Sequence, residues 1–200
     1  MVLALVAFLS IQAPDLSAAK HADPVPAEIA GPVGGMISSG GVRASVGANT
    51  LTFWFVKQMP AAAWSEIKEG TLVGAVKIDK DFRDIRGRVV KAGTFTLRYG
   101  IQPANGDHLG VSPYREFLLL SPAAIDKDPA PRGHDGTVEL SKEAIGGSHP
   151  AVLSIDPPVA AAAALSVTTT ELGHKGIVLE VPVAGGTLRF GLVLIGKIEA

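Results

Sequence analysis

Four histidines of this chain stand in glycine- or proline-bearing turns: Gly106-Asp107-His108, Gly133-His134-Asp135, Ser148-His149-Pro150 and Gly173-His174. Imidazole nitrogens on such loops ligate Zn²⁺, Cu²⁺ or Ni²⁺, and a neighbouring carboxylate completes a ligand set. On this reading His108, His134, His149 and His174 hold a divalent transition metal, with Asp135 or Asp107 adding an oxygen. The spacings of 26, 15 and 25 residues build no compact metal motif, so the ligands must be gathered by loops meeting at one end of a fold. The competing reading needs no cofactor: turn imidazoles, solvated or hydrogen-bonded to nearby backbone.

Other chemistry is less well supported. Asp79, Asp81 and Asp84 have D-x-D-x-x-D spacing, and Asp126 and Asp128 have D-x-D spacing. Calcium wants several oxygens from one tight loop, but Lys80 and Arg83 interleave the first cluster and it holds no glycine, which reads as a solvated turn. Asp126-Lys127-Asp128-Pro129 reads as a turn into proline. There is no G-x-S-x-G elbow and no S-x-x-K. Ser112 near Asp107 and His108 is a weak nucleophile candidate, because a triad is a spatial arrangement and not a run of neighbours. Arg83, Arg86, Arg88 and Lys91 form the one local basic cluster, read as an edge strand kept charged against aggregation. Without cysteine, thiolate metal sites, disulfides and cysteine nucleophiles are excluded.

These residues hang on elements that the hydrophobic pattern predicts. Thr94 to Ile101 and Glu116 to Leu120 read as strands, joined by a polar loop of about a dozen residues. Loops on a rigid β frame are where recognition concentrates, so Asn105, Asp107, His108, Ser112, Tyr114 and Arg115 are the binding-loop candidates. Val42–Val46, Thr50–Lys57, Thr71–Ile78, Ala151–Ile155, Leu165–Leu172, Gly176–Val183 and Thr187–Ile198 also read as strands. Leu51, Phe53 and Phe55 alternate with Thr52, Trp54 and Val56, a pattern for a strand covered on both faces. Pro60–Glu69 is predicted as a short helix packing Trp64 and Ile67 inward, and Leu140–Ile145 as one or two helical turns capped by Ser141. The fold class is therefore all-β, a β-sandwich or barrel-like fold of about eight to ten mostly antiparallel strands with one or two short helices.

The stretch Ala92-Gly93-Thr94-Phe95-Thr96-Leu97-Arg98-Tyr99-Gly100, with Asp107-His108-Leu109-Gly110 and Phe117-Leu118-Leu119-Leu120, resembles a group of bacterial secreted proteins sharing this pattern over about 30 residues. The group has no established activity. The resemblance implies export and a β-rich fold.

Composition bounds the rest. The chain has 200 residues, a hydrophobic fraction of 47%, 18% charged residues and a net charge of −1. That is ample core for one domain, with no global pull toward nucleic acid. Met1–Ile11 is an apolar run of signal-peptide length, too short for a bilayer anchor, and Ser17-Ala18-Ala19 offers small residues for cleavage before Lys20. The expected organisation is a signal peptide over 1–19, a flexible Pro/Gly-rich leader over 20–41 and one β-sandwich domain over 42–200. No integral membrane span is expected after cleavage. The reading is an exported bacterial protein, periplasmic or secreted. It leans away from an enzyme and toward a binding or envelope-associated module with a protein or envelope partner. The alternative is a loop-histidine metal-binding or metal-dependent protein.

Overall fold

The strand patterns assemble into one antiparallel sheet. The structure is a computed structural model that describes residues 15–29, 31–103, 112, 114–156 and 162–196. The strands are β1 (Leu16–His21), β2 (Gly41–Val46), β3 (Asn49–Phe55), β4 (Leu72–Ile78), β5 (Phe82–Arg83), β6 (Val89–Val90), β7 (Gly93–Ile101), β8 (Glu116–Pro122), β9 (Ala151–Asp156), β10 (Val167–Thr169), β11 (Lys175–Val183) and β12 (Gly186–Ile195). Ten of them pair in the order β1-β2-β3-β4-β7-β8-β9-β12-β11-β10, while β5 and β6 form a separate small hairpin. The sheet curls until β1 lies beside β10 and β11, a nearly closed, barrel-like form. The all-β expectation holds.

Period-two alternation decides what faces inward. Leu97 and Tyr99 of β7 lie opposite Leu120 and Leu118 of β8, and Leu118 and Leu120 lie opposite Leu153 and Ala151 of β9. These residues share the main core with Phe53, Phe55 and Phe190. Trp64 stacks on Tyr99 and meets Phe190 edge-on, with centroids 5.2 Å apart in both pairs. The interior is thus filled by side chains.

Three segments differ from the sequence reading. Pro60–Glu69 gives only a 3₁₀ turn at Trp64–Glu66, although Ile67 is buried as predicted and Trp64 packs against the core. The proline- and glycine-rich stretch read as a flexible leader contains helix α1 (Gly31–Met36) and carries Ile29, Val33 and Ile37 into the core. Apolar side chains spaced by four residues outweigh the poor helix propensity of glycine there. Finally, the expected cleavage junction after Ala19 falls inside β1, which pairs with β2 from Leu16↔Val46 to His21↔Gly41.

A second helix, α2 (Gly133–Lys142), begins well before the predicted Leu140. Its two glycines hide it from propensity. Ser141 is not a cap: its hydroxyl donates to the Ala151 carbonyl at 3.0 Å and accepts the Ala151 N–H at 3.1 Å. This side-chain bridge docks α2 on the outside of β9 beside β8.

Candidate functional site

The outer face of β7, β8 and β9 is unusual for a barrel surface. Gly100, Phe117 and Ser154 lie across from one another, and so do Arg98, Leu119 and Val152. Phe117, Leu119 and Val152 form a second, smaller apolar cluster with Ile85 from the β5–β6 loop, Val193 of β12 and Val138 of α2. Alternation puts these side chains outside the main core, so α2 and the β5–β6 loop must cover them. The cover is incomplete. A cleft of about 240 Å³ remains, floored by Phe117, Leu119 and Val152 and walled by α2, the end of β7 and Arg86 of the β5–β6 loop. Gly100 opens this floor, because a Cβ there would lie 2.4 Å from Leu119 Cδ1.

One buried ion pair fixes the cleft wall. The Arg98 side chain is wholly buried, and all five of its N–H donors are used. Its Nε and Nη2 meet the two oxygens of Asp126 at 2.6 and 2.8 Å. Nη1 donates to Gly70 O at 2.7 Å and to Ala130 O at 3.0 Å, and Nη2 also donates to Asp128 O. Thr96 Oγ1 donates to Asp126 as well. The D-x-D segment is therefore an anchor for a buried arginine and not a calcium loop. The fork geometry of guanidinium against carboxylate makes the anchor directional. Gly70 completes it: with φ +82 and an imagined Cβ 2.5 Å from Arg132 N, only glycine lets the start of α2 sit there.

That anchor brings Glu69 and His134 together. Glu69 Oε1 accepts the Ile101 N–H at 2.7 Å and faces His134 Nδ1 at 3.0 Å. With the Nδ1 proton given to Glu69, Nε2 is the ring nitrogen left to hydrogen-bond elsewhere. His149 and Lys142 also line the cleft; Lys142 Nζ reaches Glu139 at 2.5 Å.

Arg86 closes the other side. It lies in the turn between β5 and β6, not on a solvated strand face as its spacing from Arg88 suggested. Asp84, the acid whose charge acts on Arg86, is bound elsewhere at one oxygen and paired with Arg88 at the other. Its Oδ1 accepts the N–H groups of Arg86 and Arg88, each at 2.9 Å, and its Oδ2 lies 3.3 Å from Arg88 Nε. Arg86 Nε is buried without a hydrogen-bond partner, and burial, reinforced by Arg88, lowers the guanidinium pKa.

The predicted site residues divide accordingly. His134 and His149 share the cleft. His174 is buried in the β10–β11 turn, away from it, where burial lowers its pKa. Asp135 is exposed on the first turn of α2. Among the described residues no three His, Asp or Glu side chains are placed to hold a metal ion. Ser112 hydrogen-bonds Ser154 Oγ at 2.9 Å. Arg115 clamps the base of its loop through two bonds to Gln102 O, at 2.9 and 2.7 Å. Tyr114 is exposed. Asn105, Asp107 and His108 lie outside the described residues. Sequence reasoning named Arg86 as part of a basic cluster read as a solvated edge strand, and missed Glu69, Arg98 and Lys142; the signals available for the missed residues were the charged Arg98 inside an apolar strand and the glycine following Glu69.

No helix among the described residues is long and apolar enough to cross a membrane. Comparisons of the chain with protein-family models, with curated proteins and with solved structures find no match.

Proposed function

We propose that this protein is an exported, non-enzymatic binding module whose ligand sits in the outer cleft between α2 and the β5–β6 loop. One observation carries the reading: three large apolar side chains on the outside of the barrel are roofed by two elements that leave a cleft with polar groups converging on it. Such a combination of apolar floor and few oriented polar groups is the usual make-up of a small-molecule site. The Met1–Ile11 run and the resemblance over Ala92–Leu120 support export.

A second reading keeps the metal. It is favoured by His134 and His149 lining one cleft, with Glu69 beside His134.

Both are tested by protein-observed NMR of the chain against a small-fragment library of mixed charge, and by melting with and without Zn²⁺, Cu²⁺, Ni²⁺ and Ca²⁺. On the binding reading, fragments shift resonances of Leu119, Val138 and Val152, and Val138→Trp, which fills the cleft, removes those shifts. A rise in melting temperature with one ion, lost in His134→Ala, would replace this reading with the metal one. Fragments that bind only elsewhere would refute the cleft.

A further inference from the structure

We infer that the ligand of this cleft is a small monocarboxylate with a compact apolar body, its carboxylate held by Arg86. The inference rests on the cleft being the binding site and names the class of molecule it takes.

Charge accounting leads to it. Around the cleft stand two permanent cations, Arg86 and Lys142, and one lining carboxylate, Glu69. Lys142 is paired with Glu139, and Glu69 is occupied by His134 and the Ile101 N–H. Asp84 Oδ1 is taken up by two backbone donors, and its Oδ2 pairs ionically with Arg88 at 3.3 Å without a hydrogen bond. Arg86 is left over: among the described residues its guanidinium makes no hydrogen bond or ion pair, and its Nε is buried. A half-buried cation beside an apolar floor, with its neighbouring acid already paired to a second arginine, is complementary to one negative charge. A planar guanidinium whose Nε is buried still offers its two terminal nitrogens as a parallel pair of donors, which matches a carboxylate. A phosphate dianion would lack a second free cation. Beside Arg86, the Ile85 side chain packs against Phe117, Leu119 and Val152, so the head and body sites are contiguous. The volume of about 240 Å³ falls below the roughly 300–1,000 Å³ of sites for drug-sized ligands, which limits the body to a single ring or a short chain.

The test is a titration of the whole chain, by calorimetry and NMR near neutral pH, with benzoate, phenylacetate and hexanoate. Benzamide, hexanamide, benzylamine and inorganic phosphate serve as counterparts. The expected result is saturable binding of at least one carboxylate, in the micromolar to low-millimolar range, with shifts at Leu119, Val138 and Val152. The matching amide binds roughly 10–100-fold more weakly, as the loss of a charged hydrogen-bond pair requires. Arg86→Gln removes the preference for carboxylate over amide, and Arg86→Lys restores part of it. Should Arg86→Gln fail to fold, the carboxylate–amide comparison in the unmodified chain decides alone. Amides or benzylamine binding in the cleft as well as carboxylates would overturn the inference while leaving the cleft as a binding site. Displacement of benzoate by equimolar phosphate would overturn it as well, marking a generic anion site. No probe of any charge shifting the cleft resonances would overturn the cleft reading, and the inference with it.

Discussion

Asp156 ends β9 with its carboxylate out of water. Its Oδ1 lies 3.4 Å from Ser154 Oγ, whose hydroxyl also meets Ser112, while its Oδ2 is buried without a partner. Burial pushes its pKa from 3.8 up to about 6, against the opposing pull of the Ser154 hydrogen bond. A carboxyl whose folded-state pKa lies above its unfolded value favours folding most when protonated. Its contribution is fully present below 3.8 and is lost as pH rises through about 6. Asp156→Asn keeps the shape and removes the charge. We expect this variant to be more stable than the parent by roughly 1–2 kcal/mol at about pH 8, with the gap narrowing toward about pH 4. Urea unfolding at several pH values reads this directly, and a gap independent of pH would refute the burial of a charge as its cause. In the sequence Asp156 stands before Pro157 and reads equally as a strand end or a helix start. Its perturbed ionisation was invisible there, because desolvation comes from whatever packs over a side chain and not from its neighbours in the chain.

Among elements, the Arg98–Asp126 pair joins more of the molecule than any strand register does. It ties β7 to the 126–130 segment and, through Gly70 O, to the segment bearing Glu69. Both ionic groups have fully buried side chains. Removing Asp126 therefore strands the Arg98 charge in the interior, at a cost of about 3–5 kcal/mol for Asp126→Ala; Arg98→Ala leaves Asp126 with Arg132, whose Nε lies 3.4 Å from Oδ1, and should cost less. Removing both together should cost less than the sum of the two, by about 2 kcal/mol or more, since neither charge is left behind. Chemical denaturation of the four proteins of this cycle measures the coupling; strict additivity would mean the pair is incidental to stability. The strands that this anchor joins were legible in the sequence, because Phe95-Thr96-Leu97-Arg98-Tyr99 alternates with a period no helix shares, and Phe117–Leu120 is a short apolar run too brief for a helix. The anchor was not. Nothing in the spacing chooses Asp126 over the other acids as the partner of Arg98, and a helix beginning Gly133-His134-Asp135-Gly136 has its propensity against it until tertiary docking holds it. The cleft was half legible for the same reason: His134 and His149 were singled out as turn imidazoles, whereas Glu69, Arg86 and Lys142 acquire a role only once the sheet has brought α2, β7 and the β5–β6 loop together.

For the molecule as a whole, β1 is the element on which closure depends. It runs along β2 through six residue pairs and comes up beside β10 and β11, with Leu16 and Ala18 packed against the main core. At its end His21 fits closely: Nε2 donates to Phe53 O at 3.1 Å, Nδ1 accepts the Asp23 N–H at 3.1 Å, and the ring meets Trp54 edge-on at 5.1 Å. The signal peptide expected over residues 1–19 would take four of the six residues of β1 with it, leaving Lys20 and His21. Removal would uncover the backbone edge of β2 and widen the gap to β10 and β11, and an exposed edge is a template for pairing with another chain. A chain starting at Lys20 should therefore melt at least about 5 °C below one starting at Asp15, given that roughly 1 kcal/mol corresponds to a few degrees in a domain of this size. It should also form dimers or larger species that the longer chain does not. Calorimetry and sedimentation of the two chains settle the stability question. The N-terminus, read by intact mass after expression in a bacterial host, settles whether residues 1–19 are removed. If the mature chain begins upstream of Leu16, the barrel-like sheet keeps its closing strand. If it begins at Lys20 and still melts with the longer chain as a monomer, β1 is dispensable and closure is not what stabilises this fold.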